Sequence, residues 1–74
     1  NKFEAEILSK TKINAKNTPK KAAKIIQKMG AKNIVITGIE TKNNQISDFV
    51  LEKNNNYFIS GEKISKINTE TIII

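Results

Sequence analysis

Asn1 and Glu4 are the first residues in this chain whose types and spacing could do chemistry. An amide and a carboxylate three positions apart share one face when the segment between them is helical. The stretch from Asn1 into Ala5-Glu6-Ile7-Leu8 reads as such a helix, with the pair at its mouth. A helix N-terminus favours anions such as phosphate. A carboxylate beside bound phosphate is repulsive unless a cation lies between them, so the pairing suggests a Mg²⁺–phosphate site. The plainer reading of the same two residues is a helix N-cap with a glutamate in its first turn. Asn-x-x-Glu occurs by chance in many proteins, so the spacing alone does not choose between the two.

The elements that would position this pair follow from apolar periodicity and breakers. Residues 3–9 read as a short helix with Phe3, Ile7 and Leu8 on its apolar side and Lys2, Glu6 and Lys10 outward. Residues 11–17 read as a polar loop. Thr18 as N-cap and Pro19 at the first helical position start a second helix. Within it Ala22, Ile25, Ile26 and Met29 fall at i, i+3, i+4 and i+7. Lys20, Lys21, Lys24 and Lys28 supply its wet face, and Gly30 closes it. Lys20 and Lys21 sit badly against the helix dipole unless something anionic is near.

Ile34-Val35-Ile36-Thr37 is a continuous β-branched run that stops at Gly38. Such a run after a helix and a short link predicts a strand buried on both faces, as in parallel sheets covered by helices. It needs neighbours, which we expect in residues outside this chain. Residues 39–46 read as a polar loop. Residues 48–52 and 57–60 read as a β-hairpin around Lys53-Asn54-Asn55-Asn56, with a further extended piece at 62–67. Ile72-Ile73-Ile74 is either a strand edge or an aggregation liability. Together with an Asn rather than a Met at position 1, it marks the chain as a piece of a longer protein. The fold class is α/β, one incomplete domain over residues 1–74.

Composition narrows the chemistry. With no Cys and no His, disulfides, the usual zinc sites and Ser-His or Cys-His triads are excluded. No apolar run approaches the roughly 20 residues of a membrane span, and no leader is present, so a soluble cytoplasmic protein without membrane contact is expected. The net charge of +6 invites a nucleic-acid reading, but all 13 basic residues are Lys. Direct base readout leans on Arg, and single-strand binding leans on aromatic stacking. A DNA reader is not indicated.

The order and spacing of these parts resemble the C-terminal half of a ribokinase-superfamily small-molecule kinase. More narrowly, they resemble the branch that includes hydroxymethylpyrimidine (phosphate) kinase and pyridoxal kinase. Asn1-Lys2-Phe3-Glu4-Ala5-Glu6-Ile7-Leu8 is similar to that branch's Asn-x-x-Glu-Ala-x-x-Leu segment. The helix from Thr18 with Gly30 and the strand ending at Thr37-Gly38 resemble its next αβ unit. Ser47-Asp48-Phe49-Val50-Leu51 and Tyr57-Phe58-Ile59 resemble its hairpin. The resemblance implies a three-layer αβα fold, ATP and Mg²⁺ as cofactors, and a small-molecule substrate. It implies that Asn1 and Glu4 help hold Mg²⁺ and the phosphates through water. It also implies that Thr37 and Gly38 lie against the ATP phosphates, beyond the carboxyl end of a parallel strand. There the hydroxyl can donate to a phosphate oxygen and the glycine lets backbone approach closely.

Two departures bear on activity and substrate. The family's Gly-Thr-Gly-Cys or Gly-Thr-Gly-Asp segment, which supplies the anion hole and the base, should follow Ile67-Asn68-Thr69. Here the chain reads Glu70-Thr71-Ile72-Ile73-Ile74. Phosphoryl transfer depends on that positioning and charge neutralisation, so this chain alone is expected to be inactive. Asp48, the only Asp, reads as a turn or strand-start residue. Pyrimidine kinases often carry Gly-Gly-His where this chain has Gly38-Ile39-Glu40, and pyridoxal kinases often carry Val-Thr at the strand end. The Asn-x-x-Glu-Ala start and the short hairpin favour the pyrimidine kinase of thiamine biosynthesis. Pyridoxal kinase and a small basic non-enzymatic binding module are the alternatives, and assembly of the intact protein into a homo-oligomer stays open.

Overall fold

Among the described residues Ile34, Ile36 and Leu51 are the largest side chains to be fully buried, and the sheet that carries them organises the fold. The computed structural model describes residues 1–14, 16, 18–60 and 70–74. Among these, helices α1 (Lys2–Ser9) and α2 (Pro19–Lys28) are followed by strands β1 (Asn33–Glu40), β2 (Ile46–Glu52), β3 (Asn55–Ile59) and β4 (Thr71–Ile73). The sheet order is β3-β2-β1-β4. β1 runs antiparallel to β2 and parallel to β4, so the sheet is mixed.

The β-branched run therefore finds both of its neighbours inside this chain, correcting the expectation that they lie elsewhere. Ile34 stands opposite Leu51 on one side and Ile72 on the other, and Ile36 stands opposite Phe49. These residues form one apolar face, against which Ala5 of α1 and Ala22, Ala23 and Ile26 of α2 pack. Val35 and Val50 pair on the opposite face and are buried there too. Among the described residues both helices lie on one face of the sheet. The α/β class holds, with helix, helix, strand and hairpin in the expected order.

The helix faces differ from the periodicity reading. In α1 the buried residues are Ala5 and Ser9, while Phe3, Ile7 and Leu8 are exposed, Ile7 at 76%. Ala at the contact lets α1 approach α2 closely, whereas Phe or Ile there would hold the two helices apart. Glu6 turns inward, and its Oε2 accepts the Ile13 N–H at 2.7 Å, tying the following loop to the helix. In α2 Ala23 is buried and Met29 is exposed, while Ile25 is half-buried. Pro19 begins α2 as expected, but the Thr18 side chain makes no capping hydrogen bond. Gly30 follows the C-cap Met29 with φ +127°, the positive backbone angle that suits glycine at a helix end.

The boundaries of the strands also shift. β1 runs through Gly38 to Glu40, past the Thr37 end expected from the β-branched run. Residues 41–45 are a tight connection with one 3₁₀ turn, and β2 begins at Ile46. The hairpin turn is Lys53-Asn54 alone, because Asn55 already pairs with Glu52. The Ile72-Ile73 run is an edge strand, held by Lys32 and Asn33 amides donating to the Glu70 carbonyl. The extended piece expected at 62–67 lies outside the described residues.

Candidate functional site

Asn1 and Glu4 stand at the exposed N-terminal end of α1, as the first turn requires. The Asn1 Oδ1 accepts the Glu4 N–H at 3.1 Å, and the Glu4 Oε1 accepts from the Asn1 amino group at 2.7 Å. This reciprocal pair is a capping box, which satisfies amides that the helix leaves unpaired. A carboxylate has about four lone-pair positions, so a capping glutamate keeps acceptor capacity for a hydrated cation.

Thr37 and Gly38 lie near the carboxyl end of β1, where the strand bulges between Ile36 and Ile39. The Thr37 N–H and hydroxyl both donate to the Ile74 carbonyl, at 2.8 and 3.0 Å. Gly38 has φ +68°, and its N–H donates to Asp48 Oδ1 at 3.1 Å. A Cβ built on Gly38 would meet nothing within 4 Å, so the backbone angle and not crowding asks for glycine here. In this structure both residues spend their donors on the chain itself. A phosphate at this strand end would exchange with the Thr37–Ile74 bond or pack against the open side of Gly38.

A cleft of about 780 Å³, within the range that small ligands occupy, opens between the first turn of α1, the start of α2 and the end of β1. None of the four residues lines it, but their chain neighbours Lys2 and Ile39 do. Its apolar wall is Ile13, Pro19, Ile39 and Phe58; Lys2, Lys42 and Glu40 bring charge. Phe58 is held by an edge-on contact with Phe49, ring centroids 5.3 Å apart. Thr18 and Pro19 place the N-terminal end of α2, without a side-chain cap, on the same cleft. An apolar wall with two lysines and a helix N-terminus suits a ligand that is flat or apolar at one end and anionic at the other.

The family model for phosphomethylpyrimidine kinase matches residues 1–71. The chain belongs to the phosphomethylpyrimidine kinase family. No curated protein and no solved structure matches it.

For a member of the phosphomethylpyrimidine kinase family the donor set is informative. Among the described residues no cluster of three or more His, Cys, Asp or Glu side chains could cage a metal. Mg²⁺ does not need one, because it keeps several waters and binds through one or two carboxylates plus substrate phosphates. Glu4 offers one such carboxylate at the exposed start of α1. Among the described residues no helix is long and apolar enough to cross a membrane.

Sequence reasoning missed Lys2, Lys42 and Phe58 as cleft residues, and of its two readings of Asp48 the strand-start one lies within two residues of the strand's first residue. Nothing in the spacing of Lys2 or Lys42 separates them from the eleven other lysines, all of which suit a solvated surface. Asp48 carried one usable signal, being the only Asp and standing directly before the apolar run Phe49-Val50-Leu51. It is 6% exposed within β2, and is not a turn residue.

Proposed function

We propose that this chain forms the nucleotide side of an ATP- and Mg²⁺-dependent kinase that phosphorylates hydroxymethylpyrimidine or its monophosphate in thiamine biosynthesis. The observation that carries this is the cleft, which gathers the first turn of α1, the N-terminal end of α2 and the carboxyl end of β1. Family membership over residues 1–71 supports the phosphotransferase class. In this reading the apolar wall takes the base, and Lys2 and Lys42 draw the phosphates. Thr37 and Gly38 bound the phosphates at the strand end. Asn1 and Glu4 hold Mg²⁺ through water.

Mg²⁺, when bound, neutralises phosphate charge and lets Glu4 stand beside an anion without repulsion. The chain's own residues position and shield. Phe58, Pro19 and Ile13 exclude water from one side of the ligand, and the lysines balance its charge. The base and the glycine cradle for the transferred phosphoryl group are expected from a Gly-Thr-Gly-Cys-type segment that residues 70–74 do not match.

The test is a phosphoryl-transfer assay on the protein expressed with its natural termini, using MgATP and either hydroxymethylpyrimidine or pyridoxal as acceptor. Transfer to the pyrimidine supports the reading. Transfer to pyridoxal alone moves the assignment to the pyridoxal kinase branch, and no MgATP binding at all refutes the kinase reading.

A further inference from the structure

Asp48 is a buried carboxylate in a strand whose neighbours Phe49, Val50 and Leu51 are all buried and apolar. Among the described residues its hydrogen-bond partner is the Gly38 N–H, at 3.1 Å, and it enters no ion pair with them. Burying a charged group is costly, and an apolar residue at this position would serve packing alone. The carboxylate therefore answers a specific need, and the backbone of β1 shows what it is. Between Ile36 and Ile39 the register against β2 slips, because Ile36 faces Phe49 while Ile39 faces Ser47. The slip returns Ile39 to the helix-packed face, where it is buried in the core and lines the cleft. Ile39 is thus pinned by apolar burial. Gly38 is not: it is exposed, with open space around the position of a Cβ and φ +68°. Among the described residues, its N–H is held by Asp48 Oδ1.

We propose that Asp48 is a positioning residue that locks the Gly38 amide and thereby sets the Thr37–Gly38 bulge, near the carboxyl end of β1, that meets the nucleotide phosphates. This rests on the nucleotide reading above and adds a residue to it. Asp48 touches no ligand; it acts through Gly38. The function requires an acceptor oxygen at that place, not a negative charge, so an amide carbonyl should replace the carboxylate.

The experiment measures MgATP and adenosine affinity for the protein with natural termini, its Asp48→Ala variant and its Asp48→Asn variant. Asp48→Ala should weaken MgATP by about tenfold, the scale of one hydrogen bond, while adenosine affinity stays unchanged. Asp48→Asn should restore MgATP binding to near the unsubstituted level. An equal loss for MgATP and adenosine would show a general structural role and overturn the proposal, as would no loss in Asp48→Ala. Failure of Asp48→Asn to restore binding would overturn it too. If the unsubstituted protein binds MgATP no better than adenosine, the nucleotide reading itself fails, an outcome distinct from the others. Hydrogen exchange keeps the proposal testable where Asp48→Ala does not fold. The Gly38 amide of the unsubstituted protein should exchange slowly, and exchange at open-loop rates would overturn the assignment.

Discussion

Thr37 holds the Ile74 carbonyl with two donors, its N–H at 2.8 Å and its hydroxyl at 3.0 Å. The Ile74 N–H in turn donates to the Val35 carbonyl at 2.8 Å, so β4 is fastened to β1 around one residue. Thr37→Val keeps the backbone bond and the side-chain shape but removes the hydroxyl. It should cost about 1 kcal/mol, the usual net value of one such bond, and Thr37→Ser should recover most of it. Urea denaturation of the three proteins checks the cost. Exchange of the Ile74 amide checks its location, since it should speed up in the Val variant alone.

Glu4 carries two roles that one substitution separates. In the capping box a Gln side chain can replace Glu, because either offers an oxygen to the N-cap amide. A cation held through water would still lose its charged partner. Glu4→Gln should therefore leave the melting temperature nearly unchanged and raise the Mg²⁺ concentration needed for half-maximal MgATP binding. Glu4→Ala should do both kinds of damage, with a stability loss of about 0.5–1 kcal/mol. A Mg²⁺ titration unchanged in Glu4→Gln would confine Glu4 to capping.

How much of this was legible in the sequence depends on whether local chemistry or tertiary pairing decided each element. Pro19 and Gly30 bracket α2 by their own backbone restrictions, and both are read correctly from type and place. The β-branched run at 34–36 announces β1 for the same reason. The face of α1 was not legible, because Ala5 wins its buried place by being small where two helices approach, and not by being the most apolar residue nearby. The extension of β1 through Gly38 was hidden because a glycine ordinarily signals a turn, and here a buried Asp48 holds it in a bulge. At the candidate site, spacing indicated Asn1 and Glu4 but not the cleft between Lys2 and Lys42, which exists only once α1 and the β1–β2 connection meet.

Tyr57 contributes a pH dependence on the alkaline side. Its hydroxyl donates to Glu52 Oε1 across the β2–β3 hairpin. Its pKa is raised above the ordinary 10.0, first by that hydrogen bond, then by burial and by the Glu52 charge. A raised folded-state value means the neutral phenol is favoured by folding. The stabilisation is complete below the unfolded value of 10.0 and is lost as pH rises through the higher folded value. Melting temperature should therefore fall more steeply above that pH in the unsubstituted protein than in Tyr57→Phe. Glu52→Gln, which removes the charge, should also flatten the slope. Melting curves collected across that range, with the acidic side as control, would check the sign.

The sharpest contrast in stability should lie between Ile36 and Ile7, two isoleucines with opposite surroundings. Ile36 is fully buried at the centre of the sheet, facing Phe49 and the helices. Ile36→Ala removes three carbon atoms and leaves a cavity, at a cost of about 2–5 kcal/mol. A domain of this size has only a few kcal/mol to lose, so the variant should be largely unfolded near room temperature. Ile7 is 76% exposed on the outer side of α1, beside the exposed Phe3. Ile7→Ala should change stability by no more than about 0.5 kcal/mol. Denaturant titrations of both variants, at matched concentration, separate the two cases. A loss for Ile7→Ala approaching that of Ile36→Ala would mean that the outer face of α1 is covered in the protein under test.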